Sequence, residues 1–386
     1  MTLSQTEIQE LASQISFPCI SLYLPTEKAG AETRKNPIRF KNLLSEAETK
    51  LRNLEDTDDL TSQLDTAKSY IENYDFWQHQ ESGLAFFISQ AGIKYYTLGS
   101  DFTESVTVSD RFYLQPLLPI VNQNTKFYLL TLAQNEVQLF IGNRDGIKQI
   151  ALPDSVPSSL AEALKYDDPE KQTQYHSGDS GKSPIYHGQG VGTTDNKDEI
   201  RRFLQQIDSG IQSAFAQEKA PLILAGVEYL LPMYHEANSY NNLVEKGITG
   251  NPENVSHHDL HQQAWSIIQE QLNAERQKAI DRYQQLSTSN EASSNLEQIV
   301  AAAAKGQIDT LFFLANTQQW GRFNLQENRV ELHQEQTINS VDLIDFAVVN
   351  TYLQGGKVYL LESEQKPVDN RMMAILRYPI YAEVAK

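Results

Sequence analysis

A chain of 386 residues with 40 % hydrophobic and 21 % charged side chains has length for two or three ordinary domains and enough apolar content to bury their cores, which excludes a disordered protein. Lys and Arg number 32 against 50 Asp and Glu, a formal charge of −18, so the surface as a whole repels phosphate polyanions and DNA is not expected as a partner. The single cysteine, Cys19, excludes an intrachain disulfide, residues 1–14 lack the basic and apolar pattern of a secretory leader, and no apolar run approaches the roughly 18 residues of a membrane span, so a cytoplasmic protein without membrane contact is expected.

Three domains are expected, each a mixed α/β unit. In the first, 1–123, a short helical pattern precedes the apolar run 19–24, a buried strand ended by Pro25. Beyond it, Phe40, Leu43, Leu44, Ala47, Leu51 and Leu54 recur at helical spacing, with Asn36 as the expected cap and Pro37 at the first helical position. A second helix is expected over 58–76, then strands over 84–89 and 93–98.

The second domain, 124–255, opens with strand patterns at 126–133, 136–142 and 147–152, the last two separated by the Asp145-Gly146 turn. A short helix near 158–165 leads into a polar stretch, 166–196, with too few apolar residues to pack, which reads as a mobile loop. The next helix, 197–217, has one apolar stripe of Ile200, Phe203, Leu204, Ile207 and Ile211, and a buried strand follows at 221–225.

In the third domain, 256–386, helical patterns cover 257–281 and resume at Leu296, where Ser294 and Glu297 have the spacing of a capping box and Gly306 is a fitting stop. Strands at 309–314, 357–361 and 372–378 and a helix at 341–353 complete a βαβ-type sandwich.

Within this order several segments are familiar. Gln307-Ile308-Asp309-Thr310-Leu311 after an alanine-rich helix, Ala374-Ile375-Leu376-Arg377-Tyr378, and Pro221-Leu222-Ile223-Leu224-Ala225-Gly226 after a long helix resemble the archaeal and eukaryotic class 1 peptide-chain release factors and Pelota. Ile38-Arg39-Phe40-Lys41-Asn42-Leu43-Leu44, His187-Gly188-Gln189-Gly190 and Gly226-Val227-Glu228-Tyr229-Leu230-Leu231-Pro232 are similar to the bacterial branch of that superfamily, to which Balon-type hibernation factors are more distant relatives. The resemblance implies a three-domain release-factor/Pelota-like arrangement. The corresponding expectation is a first domain that probes rRNA or the decoding region, a middle loop that reaches toward the peptidyl-transferase region and a third domain that docks a protein partner, by resemblance a translational GTPase.

One departure bears on chemistry. Where release factors carry Gly-Gly-Gln, this chain has Gly188-Gln189-Gly190-Val191-Gly192. In that family the glutamine orients a water at the peptidyl-tRNA ester through its backbone amide, so a reordered backbone path argues against peptide release.

The remaining signals each have two readings. Lys28, Arg34, Lys35, Arg39 and Lys41 face only Glu32 within 28–41, a local basic focus that is either solvated or an RNA contact. Arg39 and Lys41 would lie in the first turns of a helix starting at Asn36, where the macrodipole disfavours cations and favours phosphate. Tyr186, His187, Gly188, Gln189 and Gly190 form a flexible surface loop or one that orders on RNA, with Tyr175 and His176 as further stackable rings. Gly181-Lys182-Ser183 resembles the end of a phosphate-binding loop, but His176 occupies the position of its first glycine. His257 and His261 have the spacing of metal ligands, with His235 and Glu236 as further donors, yet a solvated helix start explains them as simply. Cys19 reads as a small core residue, and no catalytic set can be assembled, so neither a metal nor a cofactor is expected.

These observations lead to the expectation of a ribosome-associated translation factor, acting in hibernation, rescue or quality control, that fills a tRNA-like site without releasing peptide. Two alternatives stand beside it: a hydrolase of an RNA or ester bond acting through the His187 loop, and a protein-interaction module without RNA contact.

Overall fold

A computed structural model describes residues 3–53, 60–123, 125–167, 191–315, 317–337, 340–361 and 371–379. Contacts divide the chain into two units, Met1–Asn124 with Glu275–Lys386, and Thr125–Ala274. Both are mixed α and β.

The first unit begins with α1 (Gln5–Ser13), β1 (Ile15–Pro25), a 3-10 turn (Ala31–Arg34), α2 (Lys35–Asn53), α3 (Thr61–Ser69) and α4 (Tyr74–Gln78). Then come β2 (Gly83–Ser89), β3 (Gly92–Leu98), β4 (Ser105–Arg111) and α5 (Leu118–Gln123). The strands form an antiparallel sheet in the order β3-β2-β1-β4. Along β1 the side chains alternate between two cores: Ile20, Leu22 and Leu24 pack with Phe40, Leu43 and Leu44 of α2, and Cys19 and Tyr23 pack in a second cluster on the other face. Two covered faces explain why 19–24 is apolar but for Ser21, whose buried hydroxyl accepts from the Tyr113 amide at 2.9 Å, although antiparallel sheets often leave one face in water.

In the second unit β5 (Phe127–Leu132), β6 (Val137–Asn143) and β7 (Gly146–Ile150) make an antiparallel meander. After α6 (Leu160–Asp167) and α7 (Val191–Ala214), β8 (Leu222–Gly226) returns parallel to β5; α8 (Leu230–Ala237), β9 (Ile248–Thr249) and the part of α9 (His257–Leu286) up to Ala274 follow, the rest of that helix belonging to the first unit. The sheet order is β7-β6-β5-β8-β9. The expected stripe of Ile200, Phe203, Leu204, Ile207 and Ile211 is buried against Leu130, Leu132 and Leu224, while Leu260, Ala264 and Ile268 of α9 cover Phe127, Leu129 and Ile223 on the opposite face. α7 starts at Val191, so the last residues of the expected 166–196 loop are helical, as are Tyr166 and Asp167 at its other margin. Once a buried stripe anchors a helix, each added residue gains a backbone hydrogen bond, so a polar margin can join it. Residues 168–190 lie outside the described residues.

The first unit is completed by β10 (Ala292–Ser293), α10 (Leu296–Ala304), β11 (Ile308–Leu314), β12 (Trp320–Asn324), β13 (Arg329–Leu332), β14 (Val341–Asp342), α11 (Leu343–Leu353), β15 (Lys357–Leu361) and β16 (Met372–Leu376). A sheet in the order β10-β16-β11-β15, with β11 and β15 parallel, packs one face on α10 and α11 and the other on Ile280 and Tyr283 of α9. Its inner cluster is continuous with that of β1: Tyr23, Phe87, Phe112 and Leu117 share one core with Ile299, Leu311, Ile344 and Val348.

Several expected boundaries move for identifiable reasons. The helix expected over 58–76 is interrupted because Asn73 accepts a hydrogen bond from the Phe76 amide and starts α4 anew. α10 is capped by Asn295, which accepts from Gln298 N, and not by Ser294 with Glu297. β4 carries no expectation from sequence because Thr107 and Ser109, buried in it, are polar, and the hairpin of β12 and β13 is mostly exposed.

Candidate functional site

The basic focus of 28–41 is assembled on the 3-10 turn and α2. Gly30 precedes the turn at φ +88°, a conformation that favours glycine, and Lys35 continues it into α2 with helical dihedrals. The helical path therefore begins at Ala31, and Asn36 is not its cap. Asn36 is buried and clasps Glu27 instead, accepting from the Glu27 amide at 3.0 Å and donating to its carbonyl at 3.0 Å. Arg39 and Lys41 then lie beyond the first turn, where the macrodipole has faded, which corrects the argument that they oppose it.

Carboxylates, some of them distant in sequence, also occupy three of these cations. Lys28 pairs with Glu81 at 2.5 Å, and Lys35 pairs with Glu32. Arg39, only 28 % exposed, stands 3.4 Å from Glu104 and 4.0 Å from Glu27, and donates to the Pro25 carbonyl at 3.2 Å. It ties the end of β1 to the approach to β4. Arg34 and Lys41 are exposed and make no ion pair among the described residues. With Ile38, 60 % exposed, they have the i, i+4, i+7 spacing of one helix face.

Tyr175, His176, the phosphate-loop-like Gly181-Lys182-Ser183, and Tyr186, His187, Gly188, Gln189 and Gly190 lie outside the described residues; Gly190 immediately precedes α7. In the same unit, the carboxyl ends of parallel β5, β8 and β9 carry Gln134, whose amide donates to the Tyr229 hydroxyl at 2.9 Å. Gly226 is required there by packing, since a Cβ would sit 2.8 Å from the Leu132 carbonyl oxygen. His257 packs edge-on against Phe140, and His261 Nε2 lies 2.9 Å from the Asn143 carbonyl. Among the described residues no group of three His, Cys, Asp or Glu side chains is placed to hold a metal ion. Cys19 is buried in β1, its thiol donating to the Ser16 carbonyl at 3.0 Å, and burial pushes its pKa up, away from thiolate chemistry.

A buried polar junction in the first unit was not anticipated from sequence. Asp345, in the first turn of α11, accepts from the amides of Leu114 at 2.8 Å and Gln115 at 2.6 Å. Gln115 donates to the Leu314 carbonyl and accepts from the Tyr113 hydroxyl, and Tyr23 donates to the Tyr113 carbonyl at 2.5 Å. Asp342 caps α11 through the Ile344 amide, and its second oxygen is buried with no hydrogen-bond partner among the described residues. Burial, then the neighbouring Asp342, push Asp345 up to about 8 against the pull of the two amides and Arg111; burial raises Asp342 to about 6. The signal available in sequence was an acid inside the apolar run from Val341 to Val349, where an unpartnered charge is not tolerated.

Comparison with known proteins bears most directly on the second unit. Residues 127–270 match the family model of bacterial archaeo-eukaryotic release factor family 7. Over that segment, somewhat more than a third of its length, the chain is similar to the bacterial archaeo-eukaryotic release factors. No curated protein sequence matches it. Among solved structures it is similar to an archaeal translation termination factor, aRF1, at 11 % identity over 97 % of this chain and 99 % of that one, with a TM-score of 0.23. Archaeoglobus fulgidus Pelota follows at 14 % identity over 78 % and 80 %, with a TM-score of 0.31. S. cerevisiae Dom34, a translation termination-like factor that interacts with Hbs1, is 12 % identical over 75 % and 74 %, with a TM-score of 0.35. Superpositions of that quality carry no argument, and the similarity to the family rests on 127–270.

Proposed function

We propose that this protein is a ribosome-associated translation factor of the cytoplasm that occupies a tRNA-like site without peptide-release activity, in hibernation, rescue or quality control. The observation that carries the reading is the release-factor family match over 127–270, combined with Gly188-Gln189-Gly190 in place of Gly-Gly-Gln within that segment. The family relationship supplies the place of action and the altered tripeptide removes the hydrolytic step. In this reading residues 1–123, 124–255 and 256–386 act as three functional parts. The first contacts rRNA through Arg34 and Lys41, the second presents the His187–Gly190 segment to RNA, and the third engages a translational GTPase. Arg39, Lys28 and Lys35 then serve mainly to hold the contact surface, since carboxylates already occupy them.

A protein-interaction module without RNA contact is the second reading, favoured by the charge of −18 and by the neutralised cations of 28–41. Co-sedimentation of the purified protein with ribosomes over a salt series separates the two. Salt-sensitive binding to ribosomes is the expected result. Absence from the ribosomal pellet even at low salt would leave the interaction module as the surviving reading.

A further inference from the structure

On the α2–α4 side of the first unit, outside the regions considered above, Tyr70, Phe76 and Tyr95 form a triangle of rings. Their centroids are 4.9 Å apart for Tyr70 and Phe76, 5.8 Å for Tyr70 and Tyr95, and 5.1 Å for Phe76 and Tyr95. The inner edge of this triangle is core: Tyr70 and Tyr95 contact Phe86, and Phe76 contacts the buried Trp77. The outer edge meets solvent at Tyr95, 42 % exposed; Tyr74, which opens α4 two residues before Phe76, is 76 % exposed and makes no ring contact among the described residues. Rings of this size are normally placed where they bury more of their surface, so a partly open cluster marks a contact surface.

Charge decides what fits it. Glu72 and Asp75 flank Tyr74 in sequence and are both exposed. The nearby lysines are turned elsewhere, Lys68 to Glu48 at 2.6 Å and Lys94 to Glu10 at 3.0 Å. His79 Nδ1 lies 2.9 Å from the Asp75 carbonyl and 3.7 Å from its carboxylate. Open ring faces beside exposed carboxylates, with the neighbouring lysines committed, attract a guanidinium or ammonium group and repel phosphate. A second copy of this chain, itself at −18, brings an excess of carboxylates and is disfavoured for the same reason.

We infer that the surface formed by Tyr70, Tyr74, Phe76 and Tyr95 with Glu72 and Asp75 docks an arginine-bearing segment of a basic protein partner, by stacking guanidinium groups on the open rings.

The probe is a short synthetic peptide of alternating arginine and glycine, titrated calorimetrically into the full chain, with the same peptide carrying neutral citrulline as control. An acidic protein attracts any polycation, so the deciding variant is Tyr74→Leu with Tyr95→Leu, which removes two ring faces and leaves the charge unchanged. The arginine peptide is expected to bind the wild type and to bind this variant about tenfold more weakly, the scale of two cation–π contacts. Glu72→Gln with Asp75→Asn should weaken it severalfold and flatten its salt dependence. Should the double tyrosine variant melt early, Tyr74→Leu alone, at the most exposed ring, is expected to weaken binding by a smaller factor. Undiminished binding by the leucine variants, equal binding of the citrulline peptide, or absence of binding by the wild type would each overturn the inference. So would tyrosine-dependent binding of a single-stranded RNA oligonucleotide, which would assign the rings to base stacking.

Discussion

Two polar regions of the first unit are built in opposite ways. The stretch 28–41 is dense in cations, and the fold distributes Lys28, Lys35 and Arg39 among Glu81, Glu32 and Glu104. The junction at α11 has one central acid, Asp345, which forms no ion pair among the described residues and is met by two backbone amides. Exposed pairs of the first kind contribute little individually, whereas a buried acceptor that satisfies two buried donors has a large effect when removed. Charge density along a sequence is therefore a poor measure of local potential, because the neutralising partners come from other segments. A single acid in an apolar run is the stronger sign of a structural commitment.

The comparison can be broken most directly at Asp345. Asp345→Ala removes the acceptor of the Leu114 and Gln115 amides and is expected to lower unfolding free energy by roughly 2 to 6 kcal/mol, about 1 to 3 for each buried donor left without a partner. Asp345→Asn keeps an acceptor oxygen and should lose far less. Equal denaturant midpoints for wild type and the alanine variant would show that the junction does not hold the fold.

The same residue gives a pH dependence of definite sign. Burial raises Asp345 to about 8 and Asp342 to about 6 in the fold, whereas an unfolded aspartate titrates near ~3.9. Between those values the folded chain binds more protons than the unfolded one, so stability should be highest near the lower end and fall as pH rises toward 8. Thermal melts of wild type and Asp345→Asn across this range should diverge, the asparagine variant losing less on going up in pH. Parallel curves would mean that Asp345 is ionised throughout.

A smaller effect is expected at Arg39. Arg39→Glu breaks the bond to the Pro25 carbonyl and places a carboxylate near Glu27 and Glu104, lowering stability by about 1 to 2 kcal/mol in denaturant unfolding. Arg34→Glu with Lys41→Glu should leave the melting temperature unchanged while reducing the salt slope of ribosome binding by roughly 0.7 to 0.9 for each lost phosphate contact. The reverse ranking, with Arg39 neutral to folding, would remove the distinction drawn between paired and unpaired cations.

Much of the mixed α/β architecture was legible because its cores follow simple periodicities. The stripe of α7 identifies itself by period and β5 by an apolar run buried along its whole length, and Gly355 at φ +75° marks the stop after α11. Less was legible where polar residues are buried or partners are remote. Asn36 has the chemistry of a cap, yet its amide is used to clasp Glu27, a choice set by the turn at Gly30 that no local propensity reveals. Thr107 and Ser109 conceal β4 because they are polar yet buried, against the pattern that marks a strand's core face. In the candidate site, the exposed positions Arg34 and Lys41 could be named from sequence, but which cations were already paired depended on Glu81 and Glu104 arriving through the sheet.

The central claim, occupancy of the ribosome without peptide release, is tested most directly by peptide release on stop-codon-programmed ribosomes, with this protein alone and in excess over a competent release factor. Alone it is expected to give no release above the no-factor control, and in excess it should inhibit the competent factor by filling the same site. Release by this protein alone, or full activity of the other factor on ribosomes shown to carry this protein, would contradict the claim.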